Sequence, residues 1–220
     1  MDIAELFERG GLLMWPIVAC SVLAMMAFIE RLIALRRSEI APKALLQSLT
    51  RHLDAGDAER ALHVCRESPS ALATVAEAGL LKRGRGRDAA KEAMEEAGSI
   101  AVGRMERWIA ILATVAAIAP LLGLLGTVTG MIEVFNDIEG ATDPNVSLLA
   151  NGIKKALYTT AAGLTVAIPV FVGYRFLTSR IDQYATELEE NGLSLLDKMV
   201  PEEGSLLKAS RAATPDVGDA

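Results

Sequence analysis

The residues of this chain best placed to do chemistry are hydroxyls in apolar surroundings. Thr127 lies in "GLLGTVTGM" (residues 123 to 131) and Thr160 in "ALYTTAAGLTVAIP" (156 to 169), two stretches built otherwise mainly from aliphatic and small residues. A threonine hydroxyl can relay or orient a proton but does not titrate near neutral pH. The three uncharged blocks of the chain, which include both threonines, hold no Asp, Glu, Lys, Arg or His, so the chain alone has no proton carrier at that depth. Two readings follow: the hydroxyls serve packing by bonding carbonyls of their own helices, or another chain brings the ionisable group. Enzymatic chemistry is not expected, because Ser21 is the one serine in these blocks and no histidine is there to activate it. No cofactor or metal is expected either. Cys20 and Cys65 read as packing residues, and His52 and His63 fall in a charged segment with no catalytic or ligand role assigned to them.

The elements that must position these hydroxyls are membrane spans. Residues 10 to 29, 108 to 132 and 156 to 174 form uncharged runs of 20, 25 and 19 residues in a chain of 220. Each is long enough to cross about 30 Å of hydrocarbon at about 1.5 Å per residue. The leader "MDIAELFERG" is acidic, so the first run reads as a retained span and not a cleaved signal. Of the 22 Lys and Arg residues, 14 lie between Arg31 and Arg107 and one in the leader, which puts the large loop in the cytoplasm. The expected plan is a periplasmic N-terminus (1–9), span one (10–29), a helical cytoplasmic domain (30–107), span two (108–132), a periplasmic loop (133–155), span three (156–174), a cytoplasmic helix (175–200) and a disordered tail (201–220). The net charge of -6 is spread over solvated faces, and no basic patch interleaved with aromatics suggests nucleic acid.

Within the second span Ala116, Pro120, Gly123, Thr127 and Gly130 recur at helical spacing on one face, with Gly126 and Gly130 adding a GxxxG step beside it. Ala156, Thr160, Gly163 and Ala167 repeat the pattern in the third. Small faces of this kind let backbones approach where lipid supplies no hydrophobic drive. Counted from the charged residue at the outer end of each span, Thr127 is six residues in and Thr160 five, so their heights should agree within roughly 2 Å.

The charged segment reads as helices. One runs from Pro42 to Gly56, a second is capped by Asp57, and a third starts near Ser68 and Pro69. From Asp88 a single helix is expected to continue into the second span. The third span should continue as an amphipathic helix with Ile181, Tyr184, Leu188 and Leu195 or Leu196 on one face. The fold class is therefore an all-α integral membrane protein with three transmembrane helices, the second and third extending as long helices into a helical cytoplasmic region.

"APLLGLLGTVTGMI" (119 to 132) and "GIKKALYTTAAGLTVAIP" (152 to 169) resemble the signature spans of the MotA/TolQ/ExbB proton-channel family, most closely its ExbB and TolQ branch. The layout from about residue 10 to 200 is similar too, and three spans fit that branch better than the four of MotA. The resemblance implies an inner-membrane proton-channel or motor subunit. It would form a pentamer around an ExbD- or TolR-like single-span partner, whose membrane aspartate carries the proton. Force would pass to a TonB- or TolA-like envelope protein. It also implies that Thr127 and Thr160 line the proton route, with Gly123, Gly126, Gly130 and Gly163 allowing close packing. The chain departs from the pattern at Lys155, where such sequences often carry glutamate; an interfacial charge, free to pair with Glu133 or Asp137, is expected there. The competing expectation is a helical membrane scaffold or adaptor that conducts no ions.

Overall fold

The computed structural model describes residues 11–36, 40–139 and 146–201, and among these every regular element is helical. The expected N-terminal segment (1–9), the middle of the expected outer loop (140–145) and the tail beyond residue 201 lie outside the described residues. In chain order the elements are α1 (Met14–Ala34), α2 (Lys43–Asp54), α3 (Ala58–Glu67), α4 (Ala71–Lys82), a short 3-10 turn (Arg83–Arg85), α5 (Arg87–Glu106), α6 (Ile109–Glu139) and α7 (Val146–Met199). Three of them, α1, α6 and α7, are long and apolar enough to cross a membrane. Residues 133–139 and 146–155 are helical extensions of α6 and α7, so helix continues well past the uncharged runs.

The chain forms two compact units, with α7 contributing to both. The first contains α1, α6 and α7 up to Ser179. Most side chains of these spans face outward, among them Leu121, Leu124, Val128, Leu157, Ile168 and Phe171. Water could not solvate such a surface, but hydrocarbon can. What is buried is a narrow seam. Leu112, Val115, Ala119 and Val134 of α6 are buried, as are Ala156, Thr159 and Ala167 of α7. On α1, Met14, Ile17, Ala24 and Ala27 are buried, and the ring of Phe28 lies about 3.0 Å from where a Cβ on Gly173 would sit. Pro120 and Pro169 lie inside α6 and α7. Each withholds one helical N–H, which membrane-spanning helices tolerate.

The second unit is built from α2 to α5 and the later part of α7. Leu45, Leu49 and Leu53 of α2 are buried at spacings of four, one stripe of an amphipathic helix. Gly56, at φ +74°, turns the chain out of α2. The Asp57 carboxylate accepts the Arg60 N–H at 3.0 Å and caps α3, as expected. The cap of α4 is Ser70, two residues past the expected start. Its Oγ accepts the Ala73 N–H at 3.3 Å and a hydrogen bond from the Ser68 hydroxyl at 3.0 Å. Ile181, Tyr184, Leu188, Leu195 and Leu196 are all buried, the face expected of this part of α7. The Tyr184 hydroxyl donates to the Leu35 carbonyl at 3.2 Å, which satisfies a buried polar end. Val75, Ala90, Met94 and Leu196 form a cluster, with Ala97 and Met199 at its edge.

One expectation on helix continuity is corrected. The helix from Asp88 does not run unbroken into the second span: α5 ends at Glu106 and α6 begins at Ile109. Between them the Ile111 N–H bonds the Trp108 carbonyl at 3.3 Å, a tightened turn. The Arg107 guanidinium lies 5.8 Å from the Trp108 ring centroid. This contact favours the local turn where the sequence passes from charged to apolar.

Cys65 of α3 is 2% exposed. Burial pushes its thiol up from 9.0 to about 12, and the nearby negative charge of Glu77 adds to the shift. In the folded protein this thiol should resist alkylation by iodoacetamide near neutral pH and react once the chain is unfolded. Mass spectrometry of the modified chain reads both states. The unfolded thiol loses its proton from about pH 9 while the folded one keeps it to about pH 12. The contribution of Cys65 to stability is thus complete below pH 9 and declines as pH rises above it.

Candidate functional site: the seam between the second and third spans

The seam of α6 and α7 is set by the absence of side chains. Gly126 faces Thr159, Gly130 faces Ala156, and Gly163 lies against the Ala119 carbonyl and Gly123. A Cβ on Gly163 would sit 2.6 Å from the Ala119 oxygen and 3.1 Å from the Gly123 Cα, so here backbone touches backbone. One on Gly126 would lie 2.5 Å from the Thr159 Cβ. At Gly123 and Gly130 the nearest atoms would be the Thr160 Cα at 3.0 Å and the Ala156 Cβ at 3.3 Å. Dispersion and close backbone approach hold such helices together in lipid.

The hydroxyls have distinct partners. Thr160 Oγ1 donates to the Gly123 carbonyl at 2.9 Å, a bond from α7 to α6. Thr127 is half-buried and donates to the Leu124 carbonyl of its own helix at 2.7 Å. The antiparallel register of Gly126 with Thr159 and Gly130 with Ala156 puts Thr127 and Thr160 about one to two residues apart in level, roughly 1.5 to 3 Å. No direct bond joins the two hydroxyls.

Among the described residues the buried threonine is Thr159, which the spacing of small residues did not single out. It is 1% exposed, and its hydroxyl donates to the Ala156 carbonyl at 2.9 Å and the Lys155 carbonyl at 3.1 Å. On α6 the buried seam is Ala119, Gly123, Gly126, Gly130 and Val134, so Gly123 and Gly130 of the face read off the spacing lie in it, whereas Ala116, Pro120 and Thr127 lie on its flank. The GxxxG step from Gly126 to Gly130 was the signal for the true phase, since both glycines meet α7.

At the end of the seam Lys155 Nζ lies 2.6 Å from Glu133 Oε2, pairing α7 with α6. Glu133 is one of the two partners expected for it. Lys155 is 37% and Glu133 61% exposed at the side chain. The Lys155 stem also passes the backbone of Gly11, which has φ +71° and stands just before α1. An open cleft of about 260 Å³ adjoins the pair, lined by Leu12, Leu13, Leu125, Gly126, Thr129 and Gly130 as well as Glu133 and Lys155. His52 and His63 are in α2 and α3, where His63 Nδ1 lies 3.6 Å from the Glu67 carboxylate on an exposed face.

Comparison with known proteins bears directly on these spans. Residues 67–190 match the MotA/TolQ/ExbB proton channel family. The biopolymer transport protein exbB1 of Vibrio cholerae is 33% identical over 199 residues, 86% of this chain and 84% of that protein. The Tol-Pal system protein TolQ of Pseudomonas aeruginosa is 28% identical over 194 residues, 81% of this chain and 84% of its own. The biopolymer transport protein ExbB of Salmonella typhimurium is 38% identical over 116 residues, 52% of this chain and 47% of its own. The small-residue seam, the threonines within it and the three apolar helices are thus parts of a protein that belongs to the MotA/TolQ/ExbB proton channel family, in its ExbB and TolQ branch.

Proposed function

We propose that this protein is the channel-forming subunit of an inner-membrane motor that uses the proton motive force to energise an envelope process such as transport. The observation that carries the reading is a mismatch. The chain belongs to a proton-channel family, yet its uncharged runs contain no Asp, Glu, Lys, Arg or His. The acid must come from a second chain, an ExbD- or TolR-like protein with one span and an aspartate in it. Several copies of this subunit, five by analogy with the family, enclose that span. Thr127 and Thr160 line the route beside the aspartate, and a TonB- or TolA-like protein takes up the motion. The concentration of Lys and Arg between Arg31 and Arg107 supports an N-terminus outside and a C-terminus inside. One proton moving through about 100 mV releases roughly 2.3 kcal/mol, so a few protons per step suffice for mechanical work.

Proton uptake by vesicles tests this. Vesicles holding this chain with its single-span partner should acidify under an imposed potential. Those holding either chain alone, or a partner with its aspartate changed to asparagine, should stay at the level of empty vesicles. Uptake by this chain alone would refute the dependence on a second chain. A second reading, a packing scaffold without conduction, is favoured by one observation: the Thr127 and Thr160 hydroxyls both donate to carbonyls.

A further inference from the structure

The cleft beside the Glu133–Lys155 pair lies on a different side of α6 from Thr127. Thr129, which lines it, is two residues further along, about 200° around the helix at 100° per residue. The α6 wall of the cleft thus turns away from Thr127, and Gly130 is the one lining residue shared with the small face that carries Thr127. Its position along the chain is informative. Glu133 directly follows the uncharged run of α6 and Lys155 directly precedes that of α7, so the cleft sits where hydrocarbon meets headgroups. A cleft open to the side at that level is within reach of lipid.

The walls carry three kinds of chemistry. Leu12 and Leu125, 86% and 46% exposed, offer apolar surface to an acyl chain. Gly126 and Gly130 keep the floor low. The Thr129 hydroxyl donates to the Leu125 carbonyl at 2.9 Å, which leaves its oxygen able to accept. At the rim stand one cation and one anion, 2.6 Å apart and both partly open to solvent. A purely anionic headgroup would meet the Glu133 carboxylate, and a purely cationic ligand the Lys155 ammonium. A headgroup bearing both charges complements the pair. Its phosphate sits on Lys155 Nζ, and its ammonium on Glu133. A primary ammonium gains hydrogen bonds to the carboxylate that a trimethylated one cannot make.

We propose that this cleft is a binding site for a zwitterionic phospholipid with a primary-amine headgroup, of the phosphatidylethanolamine class. The lipid ties Leu12 and Leu13, just before α1, to the ends of α6 and α7 where Glu133 and Lys155 stand. The site stands independently of proton conduction and needs only that this end of the spans reaches a membrane interface.

The test uses the full-length protein reconstituted in vesicles of equal parts phosphatidylethanolamine, phosphatidylcholine and phosphatidylglycerol, then released for native mass spectrometry. The protein should retain phosphatidylethanolamine at least several-fold above its share of the vesicle lipid. Glu133→Gln and Lys155→Gln should each bring retention back to the bulk ratio. The double exchange Glu133→Lys with Lys155→Glu restores an opposite-charge pair at the rim; it should recover part of the enrichment and shows whether loss in the single variants comes from misfolding. Three results would overturn the proposal: retention at the bulk ratio by the unaltered protein, preference for phosphatidylglycerol, or enrichment that survives both single variants.

Discussion

Gly163→Ala is expected to destabilise the membrane unit by about 1 to 3 kcal/mol, the range for adding a methyl group to a packed core. The new Cβ would come within 2.6 Å of the Ala119 oxygen and 3.1 Å of the Gly123 Cα. Both are backbone atoms of α6, so no rotamer change relieves the contact and the helices must part. Parting them stretches the Thr160 to Gly123 bond and withdraws dispersion along the whole seam. Alanine is also the better helix former by up to about 1 kcal/mol, so the measured loss understates the steric term. Two other glycines calibrate the result. Gly173→Ala meets the ring of Phe28 at about 3.0 Å, a side chain that can swing, and should cost less. Gly103→Ala in α5 meets nothing within 4 Å and should stabilise by roughly 0.5 to 1 kcal/mol. Unfolding midpoints in detergent, read for the three variants in parallel, should rank Gly163 lowest and Gly103 highest. If Gly163→Ala matched Gly103→Ala, the close approach of α6 and α7 would be wrong.

Much of this architecture was legible in the sequence because charge and hydropathy are coarse, additive signals. Three uncharged runs marked the three spans. A four- and three-residue spacing marked the buried face of α7 from Ile181 to Leu196, where large side chains make the periodicity plain. The phase of the small-residue seam was harder to read. On a helix of alanines, glycines and threonines, neighbouring faces differ by a methyl group or a hydroxyl, so spacing fixes that a small face exists but not its centre to within one residue. Thr159 and Thr160 are adjacent, and only the position of Gly126 opposite Thr159 decides which one is buried. Lys155 presented a choice of two partners, Glu133 and Asp137, four residues apart on the same helix. The register of the seam, which spacing alone does not encode, brings Glu133 within 2.6 Å. The break at Arg107 and Trp108 had no marker such as glycine or proline. It arises from a local turn bond and a ring contact that no periodicity encodes.

The two threonines separate the conducting reading from the packing one, because their bonds differ. Thr160 reaches across to α6, whereas Thr127 bonds only within its own helix. Valine keeps the shape of threonine and removes the hydroxyl, so Thr160→Val should lower seam stability by about 0.6 kcal/mol, the mean for such bonds between spans. Thr127→Val loses no tertiary bond and should leave stability nearly unchanged. Proton uptake with the single-span partner present should behave otherwise. If each hydroxyl steadies a passing proton by one hydrogen bond of about 1 to 1.5 kcal/mol, losing either slows uptake by roughly tenfold. Thr127→Val would then be a variant with native stability and about a tenth of native flux, a combination that packing alone cannot produce. Serine at either position restores the hydroxyl and should recover most of the flux. Full uptake in Thr127→Val, together with weakened stability in Thr160→Val, would instead assign both residues to the seam and remove Thr127 from the proton route.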